Sequence, residues 1–111
     1  MNKAIQSGPD YSSADLTRAD FRGRDLRGAT FRGAYLRDAD FRGADCRGVD
    51  FRGADVSRVS FQGADLRGAN FNQASLVGSN FRGAETAGAE FLGADLDRTA
   101  FDADGAKGGA A

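Results

Sequence analysis

The groups able to do chemistry recur at a spacing of five. Arg22, Arg27, Arg32, Arg37, Arg42, Arg47 and Arg52 stand in seven consecutive units, and in most of these an aspartate precedes the arginine by two residues. Arginines in a row could dock an acidic partner or phosphates, and aspartates in a row could hold a metal or divide acid and base work. The chain has no histidine, which removes the commonest general base and metal ligand, and no nucleophile stands beside a base in the sequence. Charged residues make up 28% of the chain, yet its net charge is -1. A general attraction to nucleic acid or an anionic membrane is therefore not expected.

Five is a period of neither common element, because helices bury residues every three and four positions and strands every two. The centres of the units run Leu16, Phe21, Leu26, Phe31, Leu36, Phe41, Cys46, Phe51, Val56, Phe61, Leu66, Phe71, Leu76, Phe81, Thr86, Phe91, Leu96, Phe101, and all nine phenylalanines lie in that series. Twelve of the 16 glycines occupy the fifth position of a unit. Glycine in register implies one backbone geometry repeated, with positive φ at that position. Collagen needs glycine at every third residue, and the calcium-binding nonapeptide helix needs a motif this chain lacks. A coil built of short sides with a turn at each corner meets the period. Centres then point inward, and successive coils pair their backbones at about 4.8 Å.

The unit Ala64-Asp65-Leu66-Arg67-Gly68 and its copies resemble the pentapeptide repeat family, whose pattern is Ala-(Asp/Asn)-(Leu/Phe)-x-x. From Ala14 to Ala103 there are 18 units in unbroken register, and 13 of them begin with Ala. The even alternation of Phe and the small-residue tail also suit a designed or consensus-like member. The resemblance implies an all-β fold, a right-handed quadrilateral β-helix with four units per coil, of about four and a half coils and about 22 Å. Residues twenty apart then stack. Phe21, Phe41, Phe61, Phe81 and Phe101 form one interior column, and Tyr11, Phe31, Phe51, Phe71 and Phe91 the facing one. Residues 1–13 are expected to be a terminal segment or cap with a degenerate first unit, 14–103 the solenoid and 104–111 a flexible tail.

In such a coil Cys46 is a buried small hydrophobe, and the interior Thr86 hydroxyl bonds a backbone carbonyl. Asp25, Asp45, Asp65 and Glu85 share a column, where steadying turns is the expected role rather than metal binding or catalysis. Stacked arginines such as Arg27, Arg47 and Arg67 repel by roughly 0.9 kcal/mol per neighbour in water, offset by neighbouring aspartates. One corner breaks the glycine rule: after the centres Leu16, Leu36, Val56, Leu76 and Leu96 stand Arg18, Asp38, Arg58, Gly78 and Arg98. A different turn type is expected there. With the outward Tyr35, Arg37 and Val77, this side is the expected recognition face.

The expected function is a non-catalytic rigid scaffold or protein-interaction module, without cofactor or metal and not an enzyme. The alternative that the family suggests is a DNA mimic that binds DNA gyrase or topoisomerase. Near-zero net charge argues against mimicry, which needs dense negative charge. Residues 14–58 carry ten Arg against eight Asp and residues 59–103 three Arg against six acids, so head-to-tail stacking of copies is a further expectation. No apolar run reaches the roughly 18 residues of a membrane span and no charged-then-apolar leader opens the chain. With a single cysteine, these features point to the cytoplasm.

Overall fold

The computed structural model describes residues 8–102. Parallel bridges join residues twenty apart along the whole of this span, from Asp10↔Thr30 to Asn80↔Ala100. Four units therefore complete one turn of an all-β solenoid. Its sides are named here by their first full centres: the Leu16, Phe21, Leu26 and Phe31 sides. Each side contributes a single bridged residue per turn rather than a longer strand, because a corner interrupts the chain every five residues. Two backbone bonds make each rung. In the Asp20↔Asp40 rung, Phe21 N–H donates to the Asp40 carbonyl at 2.8 Å, and Asp40 N–H donates back to the Ala19 carbonyl at 2.9 Å.

Corners repeat as faithfully as rungs. At every described corner but that of Val56, the centre's carbonyl accepts the N–H of the next unit's first residue, as in Ala44 N–H to Phe41 O at 3.0 Å. The fifth residue, third in that four-residue turn, takes positive φ, as type II turns require. The glycines there lie between φ 65 and φ 78. The odd corner of the Leu16 side does not differ in this respect: Arg18, Asp38, Arg58 and Arg98 take φ 62, 61, 54 and 56. The expectation of a separate turn type is thus overturned. The rung on either side dictates the same backbone, and a residue with a Cβ adopts it under strain.

Inside, the two aromatic columns form as expected. Phe51 stacks on Phe71 with centroids 4.7 Å apart and planes 1° apart, and Tyr11 heads its column by stacking on Phe31 at 4.9 Å. The columns meet edge to face across the core, as Phe31 and Phe41 do at 5.7 Å and 72°. That geometry sets a positive ring edge against a negative face. Leu36, Val56, Leu66, Leu76 and Cys46 fill the remaining walls, and the first-position alanines from Ala29 to Ala89 are buried along with Val49 and Val59. The end members Tyr11, Leu16, Phe91, Leu96 and Phe101 are partly exposed. Gly8 lies on the first coil so closely that a Cβ would come within 2.5 Å of Ala29 N. The expected tail, and all but Gly8 of the segment that precedes the first unit, lie outside the described residues.

Candidate interaction surface

The acid of each unit does what a short polar side chain does at a turn. Its Oδ1 accepts the N–H two residues on: Arg27 N–H to Asp25 at 3.2 Å, Arg47 N–H to Asp45 at 3.3 Å, Arg67 N–H to Asp65 at 3.2 Å. The arginine then folds back on the same carboxylate in a two-point fork. For Arg47 the Nε and Nη2 distances to Asp45 are 2.9 and 2.7 Å, and for Arg67 to Asp65 they are 2.9 and 2.6 Å. Two of these guanidinium groups also lean toward the acid of the next turn, Arg27 to Asp45 and Arg47 to Asp65 at 3.6 Å. Arg22, Arg42 and Arg52 fork in the same way to Asp20, Asp40 and Asp50.

This ladder answers what the arginine columns can do. Arg27, Arg47 and Arg67 are held by acids and are not loose cations awaiting a phosphate. The guanidinium fork holds Asp25 down at about 2 and pushes Asp20, Asp40, Asp45 and Asp65 below the usual carboxylate range as well. Carboxylates so strongly ionised make poor general acids. Among the described residues no group of His, Cys, Asp and Glu could hold a metal ion. Burial pushes the Cys46 thiol up, and Asp45 and Asp65 push it further, so it is an inert core residue. Thr86 is buried, and no buried side-chain polar atom among the described residues lacks a partner.

The Leu16 side is built differently. Its second positions are Asp15, Tyr35, Asp55, Ser75 and Asp95, and no arginine on it forks within its own unit. Because Tyr35 stands where an acid would, Arg37 reaches across to the next turn and meets Asp55 at 2.6 Å. Tyr35 is 55% exposed, and with Ser13, Asp15, Thr17 and Arg37 it lines a depression of about 430 Å³. Val77 is half-buried two turns further along. At the corner, Arg58 forks onto Asp38 at 2.9 and 3.2 Å, two fifth-position residues twenty apart. Arg18 makes no ion pair within 4 Å among the described residues.

A second depression, of about 390 Å³, lies around that corner on the Phe21 side and is lined by Asp38, Ala39, Asp40, Arg42, Arg58, Ser60, Gln62 and Asn80. Of these the sequence singled out only Asp38 and Arg58. The signal for the others was present: Ser60, Gln62 and Asn80 replace the Asp and Arg of the repeat. On this side, too, a hydroxyl is inserted in the turn that ends at Val59. Val59 N–H donates to Ser79 Oγ at 2.9 Å, and the Ser79 hydroxyl donates to the Val56 carbonyl.

Comparison with known proteins agrees with this geometry. The family profile for pentapeptide repeats matches with eight copies, over residues 14–45, 44–83 and 64–102. No curated protein matches. Among solved structures, the pentapeptide repeat protein Rfr23 of the cyanobacterium Cyanothece 51142 is 27% identical with a TM-score of 0.79, over 82% of this chain and 62% of that one. A pentapeptide repeat protein of the Arabidopsis thaliana thylakoid lumen is 34% identical with a TM-score of 0.66, over 87% and 63%. A trypsin-treated variant of QnrB1, a plasmid-mediated fluoroquinolone resistance protein, is 26% identical with a TM-score of 0.53, over 81% and 59%. The chain thus spans about three-fifths of the length of these relatives. With a profile that matches from residue 14 to residue 102, and a bridge every twenty residues to accompany it, the chain belongs to the pentapeptide repeat family.

Proposed function

We propose that the chain is a non-catalytic, rigid protein-interaction module whose recognition face is the Leu16 side. The observation that carries this reading is the contrast in charge pairing. On the Leu26 side Arg27, Arg47 and Arg67 are each held by their own unit's acid and Arg24 lies over the Phe21 ring, whereas the Leu16 side leaves Tyr35 exposed, Arg18 without an ion pair among the described residues and Arg37 drawn across turns. An exposed tyrosine amid polar neighbours is the kind of anchor that partners bury. Asp38, Arg58 and Val77 complete the face. We take the solenoid to be the right-handed quadrilateral coil of its family, about four and a half turns long over residues 14–103, with residues 1–13 a terminal segment or cap that carries a degenerate first unit and 104–111 a tail.

The test is site-specific crosslinking from a photoreactive residue at position 35 in host lysate. A captured protein that is lost on Arg37→Ala and Arg18→Ala but kept on Arg47→Gln supports the face. Equal capture by a probe at position 47 sinks it. Self-association by head-to-tail stacking is part of this reading, and light scattering that shows a monomer at low salt and high concentration removes it. Described residues contain no helix long and apolar enough to cross a membrane. We place the protein in the cytoplasm, although one similar protein comes from a thylakoid lumen.

The likeness to QnrB1 favours a second reading, a DNA mimic that engages gyrase. Its acids would then have to present a phosphate-like field, yet those of the first turns are neutralised by arginine forks. A gyrase supercoiling assay decides: protection or inhibition at micromolar protein establishes mimicry, and none removes it.

A further inference from the structure

Fifth-position side chains turn one flat side of this solenoid into a groove. On the Phe21 side the half-buried Asp40, Ser60 and Asn80 form its floor, one from each of three successive turns. Arg42 and Gln62 line it along with the exposed pair Asp38 and Arg58, which projects from the neighbouring corner. Without that pair the corner would be glycine, as at Gly43 and Gly63 on the next corner, and no wall would stand there.

The wall is not there for stability. Asp38 and Arg58 hold φ 61 and 54, a conformation in which glycine is unstrained. A Cβ at Gly43 or Gly63 would meet nothing within 4 Å, so glycine serves at those corners for its φ and not for want of space. The ion pair joining Asp38 and Arg58 has side chains 40% and 57% exposed, too open to offset two strained residues. The same positive φ recurs at Ser13, Arg18, Gln73 and Arg98, but among the described residues only Asp38 and Arg58 join two such side chains in an ion pair across turns, and strain without structural return is a mark of recognition. A second observation coincides with it. Along this floor the Asp–Arg repeat gives way to hydroxyl and amide, with Ser60 and Gln62 in one turn and Asn80 in the next.

The lining also defines its ligand. Arg42 is forked to Asp40 at 2.8 and 2.6 Å and Arg58 to Asp38, so the four charges cancel in place. A phosphate would have to displace a carboxylate and a cation a guanidinium. What remains is the spare capacity of the amides: Asn80 Oδ1 accepts the Arg82 N–H at 3.0 Å and the Ser60 hydroxyl donates to Gln62 Oε1 at 3.4 Å, which leaves the two amide NH2 groups as donors and the Ser60 oxygen as acceptor for neighbouring hydroxyls on a ring. Three turns at about 4.8 Å make a track about 10 Å long. An extended peptide repeats its hydrogen-bonding edge at about 6.8 Å, out of step with those turns, whereas a pyranose ring advances by about one turn.

We propose that this groove binds a short, linear, uncharged oligosaccharide, with Ser60, Gln62 and Asn80 on its hydroxyls and the Asp38–Arg58 pair as its wall. The site does not rest on the protein-partner reading: it shares the corner pair Asp38 and Arg58 with that face, but its floor of Asp40, Ser60 and Asn80 lies on the adjacent side from Tyr35. The experiment is an NMR titration of the full chain with cellotetraose, chitotetraose and maltotetraose at millimolar concentration. At least one should shift the backbone and side-chain amides of residues 60, 62 and 80. Arg58→Gly should weaken that binding about tenfold while leaving the thermal midpoint no lower, because glycine is the natural occupant of such a corner. Gln62→Ala should weaken it similarly. The proposal is overturned by silence from all three sugars or by undiminished binding in both variants. It is equally overturned if inorganic phosphate or a blocked Gly-Ser-Gly-Ser peptide shifts the same amides more strongly. None of these outcomes bears on crosslinking from position 35.

Discussion

The Leu26 and Leu16 sides share a backbone and differ in how they spend their charges. On the Leu26 side, Asp25, Asp45 and Asp65 each cap a turn and capture the arginine two residues on, and glycines at 28, 48 and 68 take the positive φ without strain. On the Leu16 side, arginine and aspartate occupy the strained corner, Tyr35 replaces an acid, and Arg37 and Arg58 find partners only across turns. One side is tuned for folding. The other departs from that tuning while keeping the same φ, so its side chains answer to something besides the fold.

Four experiments break or sharpen the contrast. The largest effect should come from what both sides lean on: Phe51→Ala removes a fully buried ring and should cost about 3–5 kcal/mol in urea denaturation. A loss below about 1 kcal/mol would mean that the stacked columns are not the shared support. Next come the corners, where the two sides should respond with opposite sign. Gly48→Ala on the Leu26 side should destabilise by about 1–2 kcal/mol through its φ of 68 alone, since a Cβ there meets no atom within 4 Å. Arg18→Gly on the Leu16 side should stabilise by about 1 kcal/mol. If both changes have the same sign, the corner is not strained.

Acid should then unpick the fork ladder. Asp20, Asp25, Asp40, Asp45 and Asp65 sit below the ordinary aspartate value of 3.8, so their share of stability is complete above that pH. It should be lost as pH falls, for Asp25 down to about 2. Thermal midpoints followed by circular dichroism should drop over that window, and less so in an Asp25→Asn, Asp45→Asn double variant. Smallest is the guanidinium itself. Arg47→Gln breaks an exposed ion pair and should lower the thermal midpoint only slightly at low salt and not measurably at about 1 M. An undiminished effect at high salt would mean that Arg47 acts by packing instead.

Much of the fold was legible because each unit repeats its own instruction. The aromatic columns, the turn-capping role of the acids and the burial of Cys46 all follow from period five and four units per coil. The odd corner was visible too, but its meaning was not. Absence of glycine suggested a new turn, whereas the backbone there is unchanged and the residue bears the strain. Arginine pairing was likewise half legible. Sequence places an acid two residues before five of the seven consecutive arginines from Arg22 to Arg52; only the coil shows that Arg37, deprived of its acid by Tyr35, can reach Asp55.

By itself, then, the sequence determined the unit: which residue faces in, which caps the turn and which needs positive φ. Those are local matters, set within five residues by side-chain size, by hydrogen bonding to nearby backbone and by the steric reach of a Cβ. Tertiary structure decided what stands beside what across a turn of twenty residues. The Asp38–Arg58 wall and the groove over Ser60, Gln62 and Asn80 exist only because stacking at about 4.8 Å makes neighbours of residues that are remote in the chain.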